Sequence, residues 1–85
     1  MSKPREYLKK MRTDMSLTQQ DMANAFGISK QYYNLIELGV NQKNMDLTMV
    51  RRIADVFGKT LDDIARHEEA WAAENEAEAE KEETA

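Results

Sequence analysis

Apolar residues recur along the chain at spacings of three and four, and no stretch alternates apolar with polar as a half-buried strand does. The pattern therefore predicts short helices joined by tight turns. Ser2 is placed to cap a first helix with Pro4 in its opening turn. Leu8 and Met11 form its apolar stripe before the chain turns near residues 14–16. Thr18 precedes a second segment, 19–26, with Asp21 where a capping box usually carries Glu or Gln; Met22, Ala23 and Phe26 share one face, and Gly27 ends the segment. Ser29 opens a third segment, 30–38, that stops at Gly39. A polar stretch, 40–45, leads to Asp46 as the cap of a fourth helix, whose predicted buried face is Leu47, Val50, Ile53, Ala54 and Phe57 and whose stop is Gly58. Thr60 with Asp63 caps a fifth segment carrying Leu61 and Ile64, expected to end near Trp71 and to be followed by a frayed or disordered acidic end. The expected fold is all-α, a compact bundle of about five short helices with an acidic C-terminal tail.

The second and third segments are separated by only two or three residues that include a glycine. Two helices so joined make a helix-turn-helix, in which the first braces across a DNA backbone and the second enters the major groove. Ala23 is small where the two helices would cross, and Tyr33 and Ile36, three apart, anchor the second one inward. An ordinary helical hairpin is the plainer reading of the same residues. With about 100° per residue, Gln31, Asn34, Leu35 and Leu38 fall on the side opposite Tyr33 and Ile36, and Lys30 lies beside them at the helix start. Lys30, Gln31, Asn34 and Leu35 are the candidates to face bases. Gln and Asn amides suit bidentate contact to adenine, Lys suits a guanine edge or a phosphate, and an outward Leu suits a thymine methyl. The competing reading is a merely solvated face. Gln19 opens the second helix, where its amide and a free backbone N–H both suit a phosphate. Lys43 with Asn41 lies in a polar loop expected to grip the DNA backbone.

The string Leu17-Thr18-Gln19-Gln20-Asp21-Met22-Ala23, followed by Phe26-Gly27-Ile28-Ser29 and then Tyr33, Ile36-Glu37 and Gly39, resembles the phage-repressor and Cro-like (XRE-type) helix-turn-helix family. The later string Ile53-Ala54-Asp55-Val56-Phe57-Gly58-Lys59-Thr60-Leu61-Asp62-Asp63-Ile64 is similar to the family's fourth helix and the start of its fifth. The resemblance implies a lambda repressor-like DNA-binding domain, base contacts early in the third helix, above all from Lys30 and Gln31, and a phosphate contact at Gln19. It also implies a structural pair, Arg12 with Glu37, joining the first and third helices by a charge-assisted contact. The loop holding Lys43 is about two residues longer than the family's common version, so its assignments rest on the residues alone.

Composition sharpens this picture mainly by exclusion. Eighty-five residues predict one small domain, and 41% apolar with 7% aromatic residues suffices for one core rather than a deep catalytic pocket. There is no cysteine, and a single histidine, His67, builds no metal cluster, so zinc fingers and disulfide frameworks are excluded and no cofactor is expected. Met11, Met22 and Met49 read as core fillers and His67 as a solvated helix-end residue. No acid–base or nucleophile–base pair falls into a shared cleft, so an enzyme is not expected. No apolar run suggests a leader or a membrane span, which points by default to the cytoplasm.

The net charge of −4 hides a division: residues 68–85 hold eight glutamates against one lysine, −7, and residues 1–67 hold 11 Lys and Arg against 8 Asp and Glu, +3. The expected organisation is a DNA-binding domain over 1–67 and an acidic Ala/Glu-rich extension over 68–85, either solubilising or competing with phosphates for the basic face. One motif of this size reads only a few base pairs, so a homodimer on a two-fold symmetric operator is expected, with Leu61, Ile64 and Trp71 as the interface. The sequence thus reads as a sequence-specific transcriptional regulator of double-stranded DNA, a repressor by operator occupancy. The alternative is a protein-interaction module, antirepressor or antitoxin-like, that keeps the fold and binds a protein partner.

Overall fold

The computed structural model describes the backbone of residues 3–84 and the side chains of residues 3–76. Five helices follow one another: α1 (Glu6–Asp14), α2 (Gln19–Phe26), α3 (Lys30–Glu37), α4 (Leu47–Phe57) and α5 (Leu61–Thr84). No strand occurs among the described residues. Local chemistry sets most helix ends. The Thr18 hydroxyl accepts from Asp21 N–H while the Asp21 carboxylate accepts from Thr18 N–H, a reciprocal capping box. Ser29 and Asp46 cap α3 and α4 by accepting from the N–H groups of Tyr32 and Met49. Gly27 ends α2 at φ +69°, the left-handed region where a side chain is strained.

The first helix departs from expectation. Pro4 precedes α1, and Arg5 is its N-cap, without a capping side-chain hydrogen bond. The cap expected at Ser2 lies outside the described residues. α1 ends at Asp14, and the turn behind it passes through Ser16, a non-glycine residue in the left-handed region at φ +58°.

Leu8, Met22, Phe26, Tyr33, Ile36, Met49, Ile53 and Ile64 form the core with Ala23 and Ala54, so every helix contributes. Ala23 is fully buried in the core, and Phe26 of α2 meets Tyr33 of α3 with ring centroids 5.9 Å apart. The face predicted for α4 needs correction: Leu47 is 72% exposed, and Met49 is buried in its place. Leu47 is the first helical residue after the Asp46 cap, whereas Met49 and Ile53, four apart, stack toward the core.

The larger correction concerns α5, which does not end near Trp71 but runs as helix to Thr84. Ile64, Glu68, Trp71 and Asn75 follow one another at spacings of four, three and four, and so form one stripe. That stripe packs on the N-terminal segment. Trp71 Nε1 donates to the Lys3 carbonyl at 2.8 Å, and Lys3 N–H donates to Asn75 Oδ1 at 2.9 Å. Gly39, at φ +77°, passes so close that a Cβ there would overlap the Lys3 carbonyl oxygen and lie 2.8 Å from Trp71 Cζ2. Glycine at this position therefore serves close approach as well as helix termination.

Candidate nucleic-acid interface

The short turn between α2 and α3 leaves one side of α3 outside the core. Tyr33 and Ile36 are buried beneath the helix, whereas Lys30, Gln31 and Leu38 are exposed and Asn34 and Leu35 half-buried. All four candidate base-facing residues thus share the side of α3 turned from the core. Asn34 is partly engaged already: Gln19 Nε2 donates to its Oδ1 at 3.0 Å and to Glu37 Oε1 at 3.4 Å. Gln19, half-buried at the start of α2, therefore bridges the two motif helices. Sequence spacing gave no sign of that link, because each residue reads equally well as a lone surface amide.

Beneath this face, Arg12 Nε donates to Glu37 Oε2 at 2.6 Å and Arg12 Nη2 to Glu37 Oε1 at 3.3 Å, a two-pronged contact between α1 and α3. The Glu37 hydrogen bond holds the Arg12 guanidinium charged even more firmly than usual, against the opposing effect of burial. Arg12 Nη1 also donates to the Leu17 carbonyl at 2.9 Å, tying the α1–α2 turn to the same pair. The Tyr33 hydroxyl is buried with no hydrogen-bond partner among the described residues. Burial first, then the nearby Glu37 carboxylate, pushes its ionisation well above the usual tyrosine range. Arg12 and Glu37 thus join α1, the α1–α2 turn and α3 through one polar network.

After α3, residues 39–46 run as turns and bends. Lys43 is exposed, while Asn41 is half-buried and its carbonyl accepts from Arg5 Nη1 at 3.1 Å. Gln42, at φ +57°, donates from Nε2 to the Tyr32 hydroxyl at 2.9 Å and accepts from Asp46 N–H at 3.1 Å. Its amide thus ties α3 to the cap of α4. Of the residues expected at a dimer interface, Leu61 is 45% exposed, but Ile64 and Trp71 are 0% and 5% exposed inside their own chain. The expected interface is corrected accordingly. Ile64 belongs to the core and Trp71 to the packing on Lys3 and Arg5, so neither presents an apolar surface to a partner.

Arg5 is the residue that sequence reasoning missed. It is fully buried and lies 4.0 Å over the Trp71 ring. A lone arginine before a first helix reads as surface. The only available signal was the isolated Trp71, one large apolar residue amid alanine and glutamate with nothing local to cover it. Among the described residues no group of His, Cys, Asp and Glu is placed to hold a metal ion, and no helix is long and apolar enough to cross a membrane.

An all-helical bundle with two short helices joined through a left-handed glycine, the second carrying an outward polar face, defines a helix-turn-helix protein. The sequence profile of the helix-turn-helix family matches residues 8–64, two thirds of the chain, and the chain belongs to that family in its XRE-type, Cro/C1-like form. It is accordingly a DNA-binding transcription regulator. Comparison with curated proteins and with solved structures found no match.

Proposed function

We propose that this chain recognises a specific duplex sequence through the outward face of α3 and represses transcription by occupying that site. The observation that carries the reading is the side of α3 turned from the core: Lys30 and Gln31 stand exposed, and Asn34 and Leu35 lie half-exposed along the same face. Lys30 and Gln31, at the start of the helix, take guanine or adenine edges, and Leu35 takes a thymine methyl. Asn34, its oxygen held by Gln19, offers its N–H groups to a base acceptor. Gln19 at the start of α2 and Lys43 with Asn41 after α3 flank this face and serve the phosphates.

Specificity from so small a footprint calls for two copies on a two-fold symmetric site, with half-sites about 10 base pairs apart or a multiple of that. Exposed Leu61, at the α4–α5 turn, supplies the interface, whose small area makes dimerisation weak and coupled to DNA binding. The acidic end of α5 carries charge of the same sign as DNA and discourages non-specific association. A second reading, in which a protein partner occupies this side, is favoured by exposed Leu38 and Val40 at the end of α3.

Selection of bound sites from a random duplex pool tests the proposal. A two-fold symmetric consensus whose affinity falls steeply with salt is expected. Absence of any enriched sequence, with capture of a stable partner protein instead, would replace this reading with the second.

A further inference from the structure

The Arg5 guanidinium has five N–H donors. The described structure gives four of them a hydrogen-bond acceptor and sets the Glu68 carboxylate beside the fifth. Nε donates to the Glu68 carboxylate at 2.8 Å, and Nη1 to the carbonyls of Ile36 at 2.6 Å and Asn41 at 3.1 Å. Nη2 donates to the Gln42 carbonyl and pairs with Glu68 Oε1 at 2.7 Å. Arg5 N–H donates to the Glu37 carbonyl at 2.7 Å. One buried side chain therefore joins the Ile36 carbonyl near the end of α3, which also accepts from Gly39 N–H, to the carbonyls of Asn41 and Gln42 in the irregular segment behind it. Its charge is balanced from α5 by Glu68, which also accepts the Tyr7 hydroxyl, and its flat side rests on Trp71. Lys3, Arg5, Glu68 and Trp71 all lie outside residues 8–64 that the family profile covers.

We propose that Arg5 is a positioning residue for DNA binding: through it, the stripe of α5 bearing Glu68 and Trp71 fixes the segment that follows the reading helix and carries Lys43. This rests on the reading of that segment as a backbone-gripping element. The segment has no regular hydrogen-bond ladder, and Gln42 holds a left-handed conformation that an ordinary residue adopts at a cost. Its course is held from outside, by Arg5 on its carbonyls and by the Gln42 amide between Tyr32 and Asp46. A lysine at position 5 keeps the charge, but its three donors at a single point cannot reach three carbonyls and a carboxylate together. Loosening this contact frees the segment, so the ordering it had beforehand must be supplied on binding.

The test uses Arg5→Lys and Glu68→Gln in the full chain, at a temperature where circular dichroism shows each to be fully folded. Affinity for selected and random duplex is expected to fall together by about ten-fold, the size of ordering a few interface side chains anew. Sequence preference is retained. Amide exchange at residues 40–45 accelerates while that of α2 stays as in the wild type. A purely structural role would lower the thermal midpoint and leave affinity and the ratio of exchange rates unchanged, and that result overturns the proposal. Should the wild type bind no duplex at all, the DNA reading fails by itself. Unaltered exchange at 40–45 would then overturn the positioning role as well, and accelerated exchange would support it for whatever ligand this face binds. Faster exchange with undiminished DNA affinity overturns the link to binding.

Discussion

Trp71→Ala probes whether α5 past residue 67 is part of the folded unit. The indole is 95% covered in the sense that only 5% of the residue remains exposed, between the Arg5 guanidinium, the Lys3 carbonyl and Gly39. Removing a buried Trp to Ala costs about 3–5 kcal/mol, and a chain of this length has on the order of 4–13 kcal/mol in all. With about 4–8 °C of midpoint per kcal/mol for a domain of this size, the variant is expected to melt at least about 12 °C below the wild type. Trp71→Phe keeps most of the apolar surface and loses only the Nε1 bond to Lys3, so its loss is smaller, about 1–3 kcal/mol. Thermal and urea unfolding followed by circular dichroism measure both variants, and the single tryptophan reports the wild type by fluorescence. Truncation after residue 67 is expected to behave like Trp71→Ala or worse, because it also removes the Glu68 countercharge. Truncation after residue 76 leaves these contacts intact. A midpoint shift under about 2 °C for Trp71→Ala would refute the packing argument.

Three further outcomes follow from named contacts. Glu37→Gln leaves Arg12, whose side chain is 11% exposed, without its countercharge and is expected to cost about 3–5 kcal/mol in urea unfolding; a loss below about 0.5 kcal/mol would give the pair the weight of a surface ion pair. Gly39→Ala is expected to cost more than Gly27→Ala, because both residues hold left-handed φ but only a Cβ at 39 meets other atoms, Lys3 O and Trp71 Cζ2. Equal losses would contradict the close approach. Asp21 and Asp63 have carboxyl pKa values held below the usual 3.8 by hydrogen bonds from the backbone N–H and then the hydroxyl of Thr18 and Thr60. Because the folded values are depressed, this stabilisation is present above the ordinary carboxyl pKa and is lost as pH falls through the lowered ones. Melting midpoints measured across that acidic window should fall less steeply in Asp21→Asn/Asp63→Asn than in the wild type, and parallel slopes would reject this assignment.

How much of this was legible depended on how far apart in the chain the partners stood. The caps at Thr18, Ser29 and Asp46 and the left-handed stop at Gly27 act within three or four residues, so residue type and spacing placed them. The outward side of α3 was likewise readable, because Tyr33 and Ile36 orient the helix and the opposite residues follow by rotation. Arg5 was not readable. Its partner Glu68 is 63 residues away in an acidic run, where a glutamate reads as solvated. The α5 stripe escaped for a related reason: it mixes Ile64 and Trp71 with Glu68 and Asn75, so a search for apolar periodicity finds two positions and stops. Leu47 failed in the opposite sense. Its type and spacing fit the buried face of α4, but a step of two residues along a helix points the other way, and it is Met49, four before Ile53, that faces the core. The Gln19–Asn34 bridge depends on how α2 crosses α3, which neither segment encodes alone.

Whether the outward amides of α3 read bases is decided by the affinities of wild type, Gln31→Ala and Lys43→Ala for a selected and a random duplex. Gln31→Ala is expected to lose about 1–3 kcal/mol on the selected site and little on random DNA, whereas Lys43→Ala weakens both alike and lowers the salt slope by about 1. Equal losses for Gln31→Ala on the two duplexes would contradict base reading by this helix.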